Sequence, residues 1–123
     1  MAIIGVYDFE VVENATRTLS ITRSGVATAT GWSARLDIRN DNTPSYSLWL
    51  SLTSPSGGIV LTSDGSLLTI AVTITETQAD ALVAAAVAAG QMKGRYSLKL
   101  TKPDTTTEQL LHGTVTMIRT PTP

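Results

Sequence analysis

At 123 residues the chain fits one domain, long enough to bury a core without metal or covalent staples. A net charge of −1 gives no electrostatic reason to bind nucleic acid or an anionic membrane, and the lack of cysteine excludes disulfides, iron–sulfur clusters and thiol catalysis. Only 15% of residues are charged, against roughly a quarter in an average soluble domain, so Ser, Thr and Gly must finish the surface, as suits a β-rich protein that packs beside others.

Residues 3–12 read as one strand or a pair of short ones; with no basic start, and with Asp8 and Glu10 inside it, the segment does not read as a secretion signal. Residues 17–23 form the next strand, with Leu19 and Ile21 on one face. The clearest alternation is "WSARLDIR", residues 32–39. It sets Trp32, Ala34, Leu36 and Ile38 on one face of a strand and Ser33, Arg35, Asp37 and Arg39 on the other. Turn formers in "NDNTPS" close it. In "YSLWLSL", Leu48, Leu50 and Leu52 share a face and Trp49 takes the opposite one. "SPSGG" turns the chain into a short strand at 59–61, and "SDG" makes a hairpin into "SLLTIAVTI", where Leu68, Ile70, Val72 and Ile74 point one way.

"TETQADALVAAAVAAG" departs from period two. Thr75 with Gln78 fits a capping box, Ala is the best helix former and Gly90 supplies a stop, which predicts a helix over 76–89. Leu82, Val83 and Val87 form its apolar stripe, Ala79 and Ala86 permit close approach to a sheet, and the helix is expected to lid an open end of a sandwich. The longest apolar run, residues 81–89, is too short and too alanine-rich to span a bilayer. Alternation returns in "RYSLKL", with Tyr96, Leu98 and Leu100 aligned. "KPDTT" is a turn and "EQLLHGTVTMIR" the last strand, in which Gly113 marks a bulge or a close backbone approach. Residues 119–123 read as a short extended tail. The pattern is mainly β: one domain over 1–123, an antiparallel β-sandwich or jelly-roll-like barrel of about eight strands with one short Ala-rich helix.

Chemistry is sparse. His112 is the one histidine, so the chain builds no catalytic triad and no His-rich metal site, and it lacks nucleophile-elbow, P-loop and dinucleotide motifs. Asp64 and Asp104 are turn residues, and the pattern sets no carboxylate pair on neighbouring strands for glycoside hydrolysis. Asp37, Asn40, Asp41 and Asn42 in "DIRNDN" lack the Gly and distal Glu of a calcium loop and read as a turn with Asx hydrogen bonds. The expectation is a protein that is not an enzyme, with no cofactor and no metal. Candidate interface residues are Arg35, Asp37 and Arg39, whose charges deter edge pairing and can set the register of a contact, and Trp49, which faces a partner, a sugar or the covering of the sandwich face.

The order of segments carries a further signal. A "G-[WY]-x-A-R-[LM]-x-[IV]-R" segment, a "G-x-[IL]-x-L" stretch, a "D-G" strand, a "T-x-x-x-A" helical turn, a "Y-x-L-x-L" strand and a final "L-L-x-G-x-V" strand fall at residues 31–39, 57–61, 64–72, 75–82, 96–100 and 110–118, with small departures in spacing. In this order the chain resembles small structural proteins of tailed bacteriophages and prophages. Ser97 stands where that group carries an acid, and the helix has a longer Ala-rich stretch. The resemblance implies a non-enzymatic virion component with a β-sandwich fold, made in the cytoplasm of a bacterial host. It implies other phage capsid or tail subunits as partners, with self-association in the virion. A tail- or fibre-associated adaptor and a capsid decoration (cement) protein both fit. The alternative is a carbohydrate-binding module for host-surface glycan, with Trp49 as stacking platform.

Overall fold

A computed structural model describes residues 5–40, 48–54 and 57–119. Within them the alternating segments form β1 (Gly5–Val6), β2 (Phe9–Val12), β3 (Arg17–Ser24), β4 (Ser33–Asn40), β5 (Leu48–Thr53), β6 (Ile59–Ser63), β7 (Leu67–Ile74), β8 (Lys93–Thr101) and β9 (Thr107–Ile118), with α1 (Glu76–Ala89) between β7 and β8. The first segment is two short strands rather than one. β1 and β2 follow one another along the same edge of β9, both parallel to it. From there the larger sheet continues β9–β8–β4–β5 with antiparallel pairing, while β3–β7–β6 make a smaller antiparallel sheet. The fold is therefore a sandwich of two sheets.

Period-two patterning is what builds the core. Ala34, Leu36 and Ile38 of β4, Tyr96, Leu98 and Leu100 of β8, and Leu68, Ile70, Val72 and Ile74 of β7 are all buried, as their parity predicts. They join Phe9, Val11, Leu19, Ile59, Val115 and Met117 in one apolar cluster between the sheets. Each fully buried Leu or Ile contributes about 1.5–3 kcal/mol by leaving water.

The helix spans the predicted residues. Thr75 and Gln78 complete the capping box, and Gly90, at φ 71°, donates its N–H to the carbonyls of Ala86 and Val87. It packs on the larger sheet against β2, β5 and β9, and Asp80 accepts a 2.7 Å hydrogen bond from the Asn14 backbone. Its buried stripe differs from the expected one: Ala79, Leu82, Val83 and Ala86 face the sheet, while Val87 is 45% exposed. At about 100° per residue, Val87 lies roughly 90° from the centre of that stripe. The small Ala86 lets the helix seat itself one position earlier.

Turn chemistry is local and legible. Asp64 accepts from the Ser66 and Leu67 amides, with Gly65 at φ 106°, and Asp104 accepts from the Thr106 amide, so both carboxylates serve turns. Gly113 is a close approach: a Cβ there would overlap the Tyr7 carbonyl of β1's continuation. The expected turn residues 41–45 of "NDNTPS", residues 55 and 56 of "SPSGG" and residues 120–123 of the tail lie outside the described residues.

Candidate functional site

The outward face of the larger sheet gathers most of the chain's positive charge. On β4, Arg35, Asp37 and Arg39 alternate with the buried Ala34, Leu36 and Ile38 and point away from the core. β8 does the same with Lys93, Arg95 and Lys99 around the buried Gly94, Tyr96 and Leu98. Register brings the two rows together, with Arg35 opposite Lys99, Asp37 opposite Ser97 and Arg39 opposite Arg95. Five of the chain's nine Lys and Arg residues thus share one face of a protein whose net charge is −1.

Asp37 is the anchor of this face. Its Oδ1 accepts from Arg35 Nε at 2.9 Å and from the Ser51 hydroxyl of β5 at 2.7 Å, and its Oδ2 lies 3.9 Å from the Arg39 guanidinium. Burial opposes its ionisation, but the hydrogen bonds from Arg35 and Ser51 and the charges of both arginines outweigh that, and its carboxyl is held below the usual carboxylate range. One acid therefore organises two exposed guanidinium groups at fixed spacing along a strand. Like charges directly opposite one another oppose sheet formation. The sheet nonetheless holds two such pairs, Arg35 with Lys99 and Arg39 with Arg95. Chemically, the face is suited to carboxylates presented by another macromolecule.

Trp49 is placed differently from its sequence parity. β5 pairs Leu50 with Ile38 and Leu48 with Arg39, leaving Trp49 as the extra residue of a bulge. Leu48 is turned outward beside Arg39, while Trp49 is partly buried against the core, its ring close to Gly94. The structure thus brings Arg35, Asp37 and Arg39 together and leaves Trp49 out of their face. Lys93, Arg95 and Lys99 were missed in the sequence, although "KGRYSLKL" carries their alternation plainly.

His112 lies half-buried on β9 opposite Ser97, and its carbonyl accepts from the Tyr7 amide at 3.1 Å. Among the described residues no three His, Cys, Asp or Glu side chains gather as a metal site. Asp41 and Asn42 of the "DIRNDN" set lie outside the described residues. No described helix is long and apolar enough to cross a membrane.

No family profile matches the sequence, and no curated protein matches it. Solved structures with a similar chain path include the NK cell receptor NKp44, at 11% identity, TM-score 0.37, over 94% of this chain and 100% of that one. A family 123 glycoside hydrolase from Clostridium perfringens aligns at 10% identity and TM-score 0.43, over 97% of this chain but 24% of the hydrolase. A VGSC beta subunit aligns at 12% identity and TM-score 0.40, over 89% of this chain and 91% of that one.

Proposed function

We propose that the chain is a non-enzymatic structural component of a tailed-phage or prophage virion that docks onto other subunits through the basic outer face of its larger sheet. The observation that carries this reading is the row of Arg35, Asp37 and Arg39 beside Arg95 and Lys99. Core packing requires only the alternate positions Ala34, Leu36 and Ile38. The two arginines of the segment that resembles phage structural proteins, Arg35 and Arg39, fall at the outward positions, where they add nothing to the core and serve contact with a partner. Ser97, where that group carries an acid, leaves Asp37 without a neighbouring carboxylate across the strand and the face more basic at its centre. Repeated by the symmetry of an assembly and partly desolvated, such a row sets the register of an interface.

The test is incorporation. With Arg35→Glu and Arg39→Glu combined, the purified protein is expected to keep its strand-dominated circular dichroism and its urea midpoint within about 1 kcal/mol of stability. Particles assembled with it are expected to lack the protein. Normal incorporation of the double variant would overturn the docking face, and absence of the unaltered protein from particles would overturn the virion reading itself.

A further inference from the structure

The smaller sheet stops on one side at β3, and no described strand pairs with its outer edge. β3 runs against β7 without a bulge from Arg17 opposite Ile74 to Ser24 opposite Leu67, so its outer edge offers a regular series of N–H and C=O groups. Exposed edges are usually guarded by charge, proline or a bulge. Residues 18–22, "TLSIT", carry none of these.

Beneath that edge the two sheets stand apart. A groove of about 490 Å³ opens between β3 and the β1–β9 side, lined by Tyr7, residues 17–22 and Leu111. Leu19, Ile21 and Leu111 make its floor, packed into or against the core. At one end the Arg17 guanidinium sits 5.9 Å above the Phe9 ring, and its Nη2 donates to the Tyr7 hydroxyl at 3.4 Å. Its Nε is buried without a hydrogen-bond partner, and Arg17 has no ion pair among the described residues. At the other end Arg23 is already neutralised by Glu108.

We propose that this edge receives an extended segment of a partner protein by strand addition. The segment forms main-chain hydrogen bonds to β3, sets alternate apolar side chains over Leu19 and Ile21, and places a carboxylate against Arg17. Each requirement has its own origin. The bare edge selects an extended backbone, the groove floor selects apolar side chains at every second residue, and the half-buried Arg17 guanidinium, with no ion pair among the described residues, selects an acid. This surface lies on the opposite sheet from the basic face and does not depend on that face or on the virion reading.

The probe is the peptide acetyl-ETVTVTE-amide, whose Val residues and terminal Glu residues share one side of a strand. Amide hydrogen exchange followed by NMR is expected to slow at alternate residues of 18–22 on adding it, with no change along β5 or β6. Affinity is expected to fall at least fivefold for the Gln-ended peptide and for the protein variant Arg17→Gln. N-methylation at alternate peptide residues is expected to abolish binding in one phase and spare it in the other, because one edge of the added strand faces β3. No protection of β3, equal protection of β5 or β6, or indifference to both N-methylation phases would overturn the proposal. Protection of those outward-facing β3 amides without the probe would also overturn it, since the amides turned toward β7 are held in the ladder already. If that protection grows with protein concentration the occupant is a second copy, and if it does not the occupant is the chain's own terminal residues.

Discussion

Replacing Glu108 by Gln probes an ion pair that ties the two sheets together. Glu108 of β9 points inward at the mouth of the sandwich, 8% exposed, and accepts from both Nε and Nη2 of Arg23 on β3; Lys102 Nζ lies 3.6 Å from its Oε2. Arg23 is 28% exposed and stacks 5.5 Å over the Trp32 ring. Exposed pairs contribute about 0–1 kcal/mol, and breaking a fully buried one costs about 3–5 kcal/mol. Arg23 can recover water through its exposed part, so Glu108→Gln is expected to cost about 1–2 kcal/mol at pH 7. The hydrogen bond from Arg23, aided by the charges of Arg23 and Lys102, outweighs burial and holds the Glu108 carboxyl below its ordinary 4.5. A folded-state pKa below the unfolded one means that this stability is fully present above about pH 4.5 and is lost as pH falls through the folded value. Urea unfolding followed by tryptophan fluorescence, from pH 7 down to pH 3, measures both. The gap between native and variant proteins should be widest at neutral pH and close in acid. A variant within about 0.3 kcal/mol of the native protein at pH 7, with an unchanged gap in acid, would refute the pair's role.

Three further substitutions test other parts of the structure. Ile70→Ala removes a fully buried side chain from the central strand of the smaller sheet and should cost about 2–5 kcal/mol in the same urea assay; a loss below about 1 kcal/mol would take β7 out of the core. Tyr96→Phe deletes a hydroxyl that donates to the Tyr7 carbonyl at 2.5 Å and should cost about 0.5–1.5 kcal/mol at neutral pH. Burial first, then the nearness of Asp8 and Tyr7, push the Tyr96 phenol up to about 12 from 10.0, so the folded state keeps a proton that the unfolded chain loses. Native stability should therefore decline between pH 10 and 12, and the Phe variant should lack that part of the slope. Gly113→Ala drives a methyl into the Tyr7 carbonyl and to within 2.7 Å of Asp8 Oδ1, and should cost about 1–3 kcal/mol; hydrogen exchange should quicken at β1 while β7 stays protected.

The sandwich was legible because its inner positions alternate without error in β4, β7 and β8, and a half-buried strand has no other way to separate apolar from polar side chains. Trp49 was not legible. A bulge inserts one residue and inverts parity on one side of it, and "SLWLSL" carries no glycine or proline to announce it. The Val87 face was missed for a subtler reason: size favours Val over Ala as the buried residue, but a helix seated close to a sheet prefers the smaller one. Arg35, Asp37 and Arg39 were recognised as one outward row, whereas their extension to Lys93, Arg95 and Lys99 depends on β4 pairing with β8, a strand far along the chain that no local pattern identifies. The Arg23–Glu108 pair is hidden in the same way, since it joins opposite sheets and Glu108 lies before a register shift in β9 that inverts its parity relative to the rest of the strand.

Cryo-electron microscopy of intact particles, with this chain located in the map, tests the central claim most directly. The expected density is a sandwich whose β4–β8 face, bearing Arg35, Arg39, Arg95 and Lys99, lies against acidic side chains of a neighbouring subunit. Repetition over the shell would mark a decoration protein, and restriction to the tail or fibre base an adaptor. A particle that lacks the chain, or that holds it with this face turned to solvent, would contradict the claim.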